Sequence, residues 1–269
     1  MRKYRNAPLG IFDSGVGGLT VVKEISRHLP QEDIIYLGDT GRYPYGPRSA
    51  EIVRKFSLQN ARFLMGFGIK VLIVACNTAS SVALDELTEW ITVPIMDVIK
   101  PGARAAVEVT RNGKIGVIGT VGTISSGAYQ DIIMRLKPDS KVFTKSCPLF
   151  VPLAEEGWLD GEIPEKISRY YLNELQQKSI DTLVLGCTHY PLLKNVIQKV
   201  MDENVQIIDS ATALVEELKN FLVGENLYSD SNQGQTKYFV TDAPQRFADI
   251  GTRFLDRKLS QINLIQIDN

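Results

Sequence analysis

Two cysteines stand in matching surroundings. In Val71-Leu72-Ile73-Val74-Ala75-Cys76-Asn77-Thr78 and in Thr182-Leu183-Val184-Leu185-Gly186-Cys187-Thr188-His189, an apolar run of strand type ends in a thiol. Polar residues and then a helical pattern follow in both. A thiol so placed sits at the C-terminal end of a strand, where open α/β sheets bind their ligands. The helix behind it is expected to favour thiolate over thiol, lowering a pKa that is about 8.5 in free cysteine, and to attract a carboxylate. Pro191 suits the first turn of the second helix, where its missing N–H has no intrahelical partner anyway. Coincidence is the bland alternative, because apolar strands often end in small residues before a polar turn. The sharper reading is two α/β halves of like design, each offering a thiol. Cys147, in Lys145-Ser146-Cys147-Pro148-Leu149, lacks this setting and reads as a small packing residue.

Other polar residues fall where they could serve such a pair. Asp13 and Ser14 end an apolar run and open the glycine-rich turn Gly15-Val16-Gly17-Gly18, so a carboxylate and a hydroxyl are available to an ammonium group or a neighbouring thiol. The turn is no phosphate loop, since no Lys-Ser/Thr follows, and Gly15-x-Gly17-x-x-Thr20 lacks the third glycine of the dinucleotide fingerprint. Gly38-Asp39-Thr40-Gly41-Arg42-Tyr43-Pro44-Tyr45-Gly46-Pro47 is either a rigid connector or one wall of a ligand pocket. His189, two residues past Cys187, and Glu156, in a loop-like break after an apolar run, could relay a proton to the second thiol and bias its charge. Thr120 and Thr123 offer hydroxyls after a further strand.

Positioning these groups falls to alternating apolar runs and amphipathic stretches, the pattern of βα units feeding mostly parallel sheets. Strands are expected at 8–12, 33–37, 70–75, 94–97, 114–118, 141–146, 181–185, 205–208 and 236–241. Helices are expected at 17–28, 49–67, 79–90, 101–111, 127–136, 164–178, 191–202, 211–223 and 244–258. The stretch 224–235 reads as a surface loop. The fold class is therefore α/β.

Composition narrows the function further. With 30 basic and 31 acidic residues in 269, no net field points to nucleic acid or an anionic membrane, and a small molecule is the expected partner. The basic opening 1–7 is not followed by an apolar run of signal-peptide length, and no later segment is long enough to span a bilayer, so a cytoplasmic location is expected. Thiols stay reduced there, and the three cysteines with His28 and His189 suggest no metal site.

Taken jointly and in order, Phe12-Asp13-Ser14-Gly15-Val16-Gly17-Gly18-Leu19, Pro44-Tyr45-Gly46, Ala75-Cys76-Asn77-Thr78-Ala79-Ser80, Glu155-Glu156-Gly157 and Leu185-Gly186-Cys187-Thr188-His189-Tyr190-Pro191 resemble glutamate racemase. The likeness runs over nearly the whole chain. It implies two similar lobes, each a mostly parallel sheet flanked by helices, with the active site in the cleft between them. Residues 1–98 plus 208–269 would form the first, discontinuous lobe and residues 99–207 the inserted second. Cys76 and Cys187 would be the catalytic pair, assisted by Asp13 at the first thiol and by Glu156 and His189 at the second. Asp13, Ser14, Pro44, Tyr45, Gly46, Asn77, Thr78, Thr120, Thr123, Thr188 and His189 would hold the substrate.

The resemblance further implies cofactor-independent exchange of L- and D-glutamate, supplying D-glutamate for peptidoglycan. A homodimer is a possible assembly. Two thiols suit such chemistry: inversion takes a proton from one face of the α-carbon and returns one to the other, and a thiol titrates near enough to neutrality to play acid or base. An aspartate racemase of the same mechanism and a non-catalytic amino-acid-binding protein are the alternatives. Glutamate over aspartate rests on the resemblance; spacing reaches only a two-thiol site for a small anion.

Overall fold

The computed structural model describes residues 4–259 and 261–267, so the first three residues of the basic opening lie outside the described part. Ten strands form two parallel sheets. The first comprises β1 (Leu9–Asp13), β2 (Ile34–Gly38), β3 (Val71–Val74), β4 (Ile95–Asp97), β9 (Thr236–Val240) and β10 (Ile262–Leu264), in the order β10-β9-β2-β1-β3-β4. The second comprises β5 (Lys114–Gly119), β6 (Lys141–Ser146), β7 (Thr182–Gly186) and β8 (Gln206–Asp209), in the order β6-β5-β7-β8. All pairings are parallel, as the βα alternation predicts.

The apolar runs are continuous because both faces of each sheet are covered by helices. Along β3, Val71 and Ile73 enter one core cluster while Leu72 and Val74 enter another; along β7, Leu183 and Leu185 face one side and Val184 the other. Fully buried strands lose the polar alternation of half-exposed ones and show only runs of Ile, Val and Leu.

Nine expected strands are present. The tenth, β10, is a three-residue edge strand in a polar neighbourhood and carries no run to betray it. The expected helix 79–90 is two, α3 (Asn77–Val82) and α4 (Leu84–Trp90). The expected helix 191–202 starts as a 3-10 turn, Tyr190–Leu193, before α10 (Lys194–Met201). Two short helices were not expected: α6 (Val121–Ser125) and α8 (Phe150–Glu156). The second replaces the loop-like break expected around Glu156; Pro152 is tolerated there because it sits in the first turn. The lobe boundary expected at 207/208 cuts through β8, which pairs with β7.

In both sheets the functional turns leave the strand ends where chain order reverses: β1 lies between β2 and β3, and β5 between β6 and β7. Carboxyl ends at such a reversal leave a crevice between the loops. At the opposite, amino-terminal end of the strands of the first sheet, Lys70 is buried with its Nζ 2.5 Å from Glu32. It also donates to the carbonyls of Arg5 at 2.7 Å and Leu227 at 2.8 Å, and Glu32 accepts the Ser229 N–H at 2.8 Å. This clip holds the 224–235 loop under the sheet.

Removing one partner of a desolvated pair strands the other charge, so Lys70→Met should cost about 3–5 kcal/mol in urea unfolding, while Lys70→Met with Glu32→Leu should recover most of it. A single-variant loss under about 1 kcal/mol would show that the pair is effectively solvated.

Candidate active site

The crevice is a cavity of about 240 Å³ lined by both thiols and by Ser14, Tyr43, Pro44, Tyr45, Gly46, Asn77, Thr78, Thr120, Thr188 and His189, with Val121, Pro148, Val151 and Pro152 at its apolar side. That size lies below the roughly 300–1,000 Å³ usual for drug-sized ligands and suits a small metabolite. Cys76 is the residue just before α3, and Cys187 follows β7 directly. The likeness of the two segments is therefore a likeness of place: each thiol leaves a central strand and looks into one cavity from its own sheet.

Around the first thiol, Cys76 Sγ lies 3.8 Å from Ser14 Oγ. Asp13 is fully buried; one carboxylate oxygen accepts the Gly15 N–H at 2.9 Å and the other accepts from Thr188 Oγ1 at 3.4 Å, across to the second sheet's loop. Burial raises the Asp13 pKa, against the opposing pull of His189 and of backbone N–H groups. The glycine-rich turn explains this closeness. A Cβ on Gly17 would stand 2.2 Å from Thr188 Oγ1 and 2.5 Å from His189 Nδ1, so only glycine allows the two loops to meet.

Around the second thiol, Cys187 Sγ lies 3.9 Å from His189 Nδ1, and His189 Nε2 lies 3.1 Å from Glu155 Oε1. Glu155, not Glu156, completes this relay, while Glu156 is exposed. At 100° per residue, Glu156 shares the exposed side of α8 with Pro152, one turn earlier, and Glu155 follows Val151 toward the site. Recognising the helix was the missing signal, since helical phase alone separates the two neighbours. Burial pushes the Glu155 pKa up, but hydrogen bonds with His189 and Tyr43 and the charge of Arg246 outweigh it, holding the carboxyl below its ordinary value. Arg246 stands 3.8 Å away, and Arg253 donates to the Glu155 carbonyl. Both arginines come from α12 (Pro244–Leu255). Tyr43, from the loop expected as a possible pocket wall, stacks on His189 with ring centroids 6.4 Å apart.

The remaining expected residues divide. Thr78, Thr120 and Thr123 form a triangle of hydroxyls with edges of 2.9, 3.0 and 3.3 Å, joining α3 to α6. Gly122 N–H donates to the Gly46 carbonyl at 2.9 Å beside it. Tyr45 contributes its ring to the wall, but its hydroxyl is turned away to Asp39 and to Asn60, whose Nδ2 is 3.0 Å off. Cys147 is buried outside the cavity and donates to the Lys145 carbonyl at 3.7 Å.

The expected lowering of the thiol pKa is not what the structure gives. Burial pushes Cys76 up to about 12, helped by the charge of Asp13 and opposed by the Ala79 N–H and Ser14. Cys187 is raised by burial as well, and the 3-10 turn behind it supplies no α-helical N-terminus. Desolvation of the buried thiolate outweighs the few donors that oppose it, Ser14 and the Ala79 N–H at Cys76 and the His189 N–H at Cys187.

Two parallel sheets flanked by helices, each presenting a thiol to one shared cavity, define a two-sheet α/β class of protein with a small-molecule site between the sheets. The chain belongs to the Asp/Glu/hydantoin racemase family, which it matches over residues 17–218, and its relatives are glutamate racemases. That of Geobacter metallireducens is 52% identical over 97% of both chains, and that of Neisseria meningitidis serogroup C is 44% identical over 98% of both. Among solved structures, a Bacillus anthracis glutamate racemase isoform superposes with a TM-score of 0.95 at 41% identity, covering 98% of each chain. The Francisella tularensis glutamate racemase in complex with D-glutamate gives a TM-score of 0.93 at 38% identity, covering 98% of this chain and 99% of that one. The α/β expectation and the family resemblance are thereby borne out, and the chain is an isomerase acting on amino acids.

Raised thiol pKa values leave little thiolate at neutrality. Alkylation of Cys76 by iodoacetamide at pH 7 should be at least about 100-fold slower than that of free cysteine and should accelerate with pH beyond 9, as peptide mass mapping would report. Rates like those of free cysteine would contradict the burial argument.

Proposed function

We propose that the chain interconverts L- and D-glutamate by a two-thiol mechanism. The observation that carries this is the placing of Cys76 and Cys187 on one cavity from two separate sheets. One thiolate takes the α-proton while the opposite thiol delivers its own, so each turnover leaves acid and base exchanged and the next can run in reverse. Cys187 takes the proton from L-glutamate and Cys76 from D-glutamate. The substrate's ammonium brings positive charge into a cavity where both thiol pKa values are held high, and so draws the thiolate state within reach.

Asp13 is placed to assist Cys76. His189, held on its far side by Glu155, is placed to exchange a proton with Cys187. Charge growing on the substrate's α-carboxylate is met by fixed donors around Asn77, Thr78 and Thr188, which are worth most where water is excluded. The product, D-glutamate, serves peptidoglycan assembly in the cytoplasm. Among the described residues no helix is long and apolar enough to cross a membrane.

Incubating L-glutamate with the protein in D2O under reducing conditions, without added cofactor, should erase the α-proton signal by proton NMR together with the optical rotation. Exchange of aspartate but not glutamate would move the substrate assignment, and exchange of neither would leave a binding protein. Cys76→Ala and Cys187→Ala should each reduce racemisation by several orders of magnitude in both directions; near-normal turnover would remove that thiol from the scheme.

The relay geometry makes a separate claim. Glu155→Gln should lower kcat at least about tenfold, most strongly in the direction that uses Cys187 as base, whereas Glu156→Gln should stay within about twofold of the unmodified protein. Equal effects of the two would contradict the helical phase of α8.

A further inference from the structure

Asn77 carries an unspent donor. It is 2% exposed, it lines the cavity, and its Nδ2 is without a hydrogen-bond partner among the described residues. Its Oδ1, by contrast, accepts the hydroxyl of Tyr129 at 2.7 Å. Tyr129 belongs to α7 (Ala128–Leu136), which packs with the second sheet, so the bond reaches from one half of the molecule to the residue beside the other half's thiol.

The contact is built, not incidental. Tyr129 is 1% exposed, and a glycine clears room for its ring: a Cβ on Gly186 would stand 3.1 Å from Tyr129 Cε2. Ser210 is hydrogen-bonded to the same phenol. Burial raises the Tyr129 pKa far above neutrality, so the hydroxyl keeps its proton across any working pH.

A carboxamide has nearly the same shape when its oxygen and nitrogen are exchanged, but it presents opposite charge. With the oxygen inward it would repel an anion; with the nitrogen inward it donates to one. Packing cannot choose between these two states, and a hydroxyl could serve either; here the Tyr129 proton is directed to Oδ1, with Ser210 at the phenol oxygen, and that sets the nitrogen inward.

We propose that Tyr129 is a positioning residue that fixes the orientation of Asn77, holding its nitrogen toward the cavity as a permanent donor to a carboxylate of the substrate. The inference rests on the reading of the site as one for an acidic amino acid and deepens it. It explains why a buried amide next to Cys76 is left half-satisfied in a protein whose buried polar groups are otherwise largely paired.

Tyr129→Phe keeps the ring and removes only the hydroxyl. It should raise KM for both enantiomers of glutamate about tenfold, change kcat by less than about threefold and leave the shape of the pH profile unchanged. In an Asn77→Ala background the same substitution should alter kcat/KM by less than about twofold, because the group it orients is gone. A structural role would instead lower activity equally in both backgrounds, and that outcome overturns the inference. An active wild type whose Tyr129→Phe variant keeps its KM removes this inference alone. A wild type inactive on glutamate removes the reading of the function, and this inference with it.

Discussion

Close approach of two loops from different sheets is the constraint on which the rest of the site depends. Gly17, from the turn after β1, lies where any side chain would collide with Thr188 and His189. Because it has none, Asp13 reaches Thr188, and the carboxylate of the first turn is tied to the loop that carries the second thiol. Gly46 does the same on the far side, where a Cβ would stand 2.9 Å from Thr120 Cβ. Beside it the backbones themselves meet, Gly122 N–H donating to the Gly46 carbonyl at 2.9 Å, a contact that no change of rotamer relaxes.

The same closeness creates a tension. Excluding water strengthens every interaction with a bound anion, but it also raises the pKa of both thiols and of Asp13. The site without ligand is thus biased toward neutral thiols. Glu155 is the exception: three partners keep it ionised, and it faces His189 rather than a thiol. Negative charge is thus held one residue back from Cys187, against the His189 ring.

Much of this was legible in the sequence. Both thiols, the glycine-rich turn and the threonines after β5 sit at strand ends that announce themselves as apolar runs, and the α/β class follows from the same runs. What stayed hidden was whatever depends on short or edge elements. α8 has seven residues with a proline in its first turn, so its phase, and with it the choice between Glu155 and Glu156, could not be read. The thiol pKa values escape the sequence for another reason: a helical pattern after each cysteine is readable, but the depth of burial that governs both thiols is not. Arg246 and Tyr129 are ordinary residues in sequence and gain meaning only from what folds against them.

The pairing of α8 with α12 has a consequence for how the protein is made. Arg246 and Arg253, which steady Glu155, lie some ninety residues further along the chain than the glutamate. During synthesis the segments bearing both cysteines leave the ribosome well before those arginines do, and the second sheet has all its strands by then. A nascent chain at that stage has its thiols but lacks the clamp on the acid behind His189. The carboxylate behind His189 is therefore steadied only once α12 has emerged, so the last part of the chain to be made completes a contact inside a site whose thiols were laid down long before.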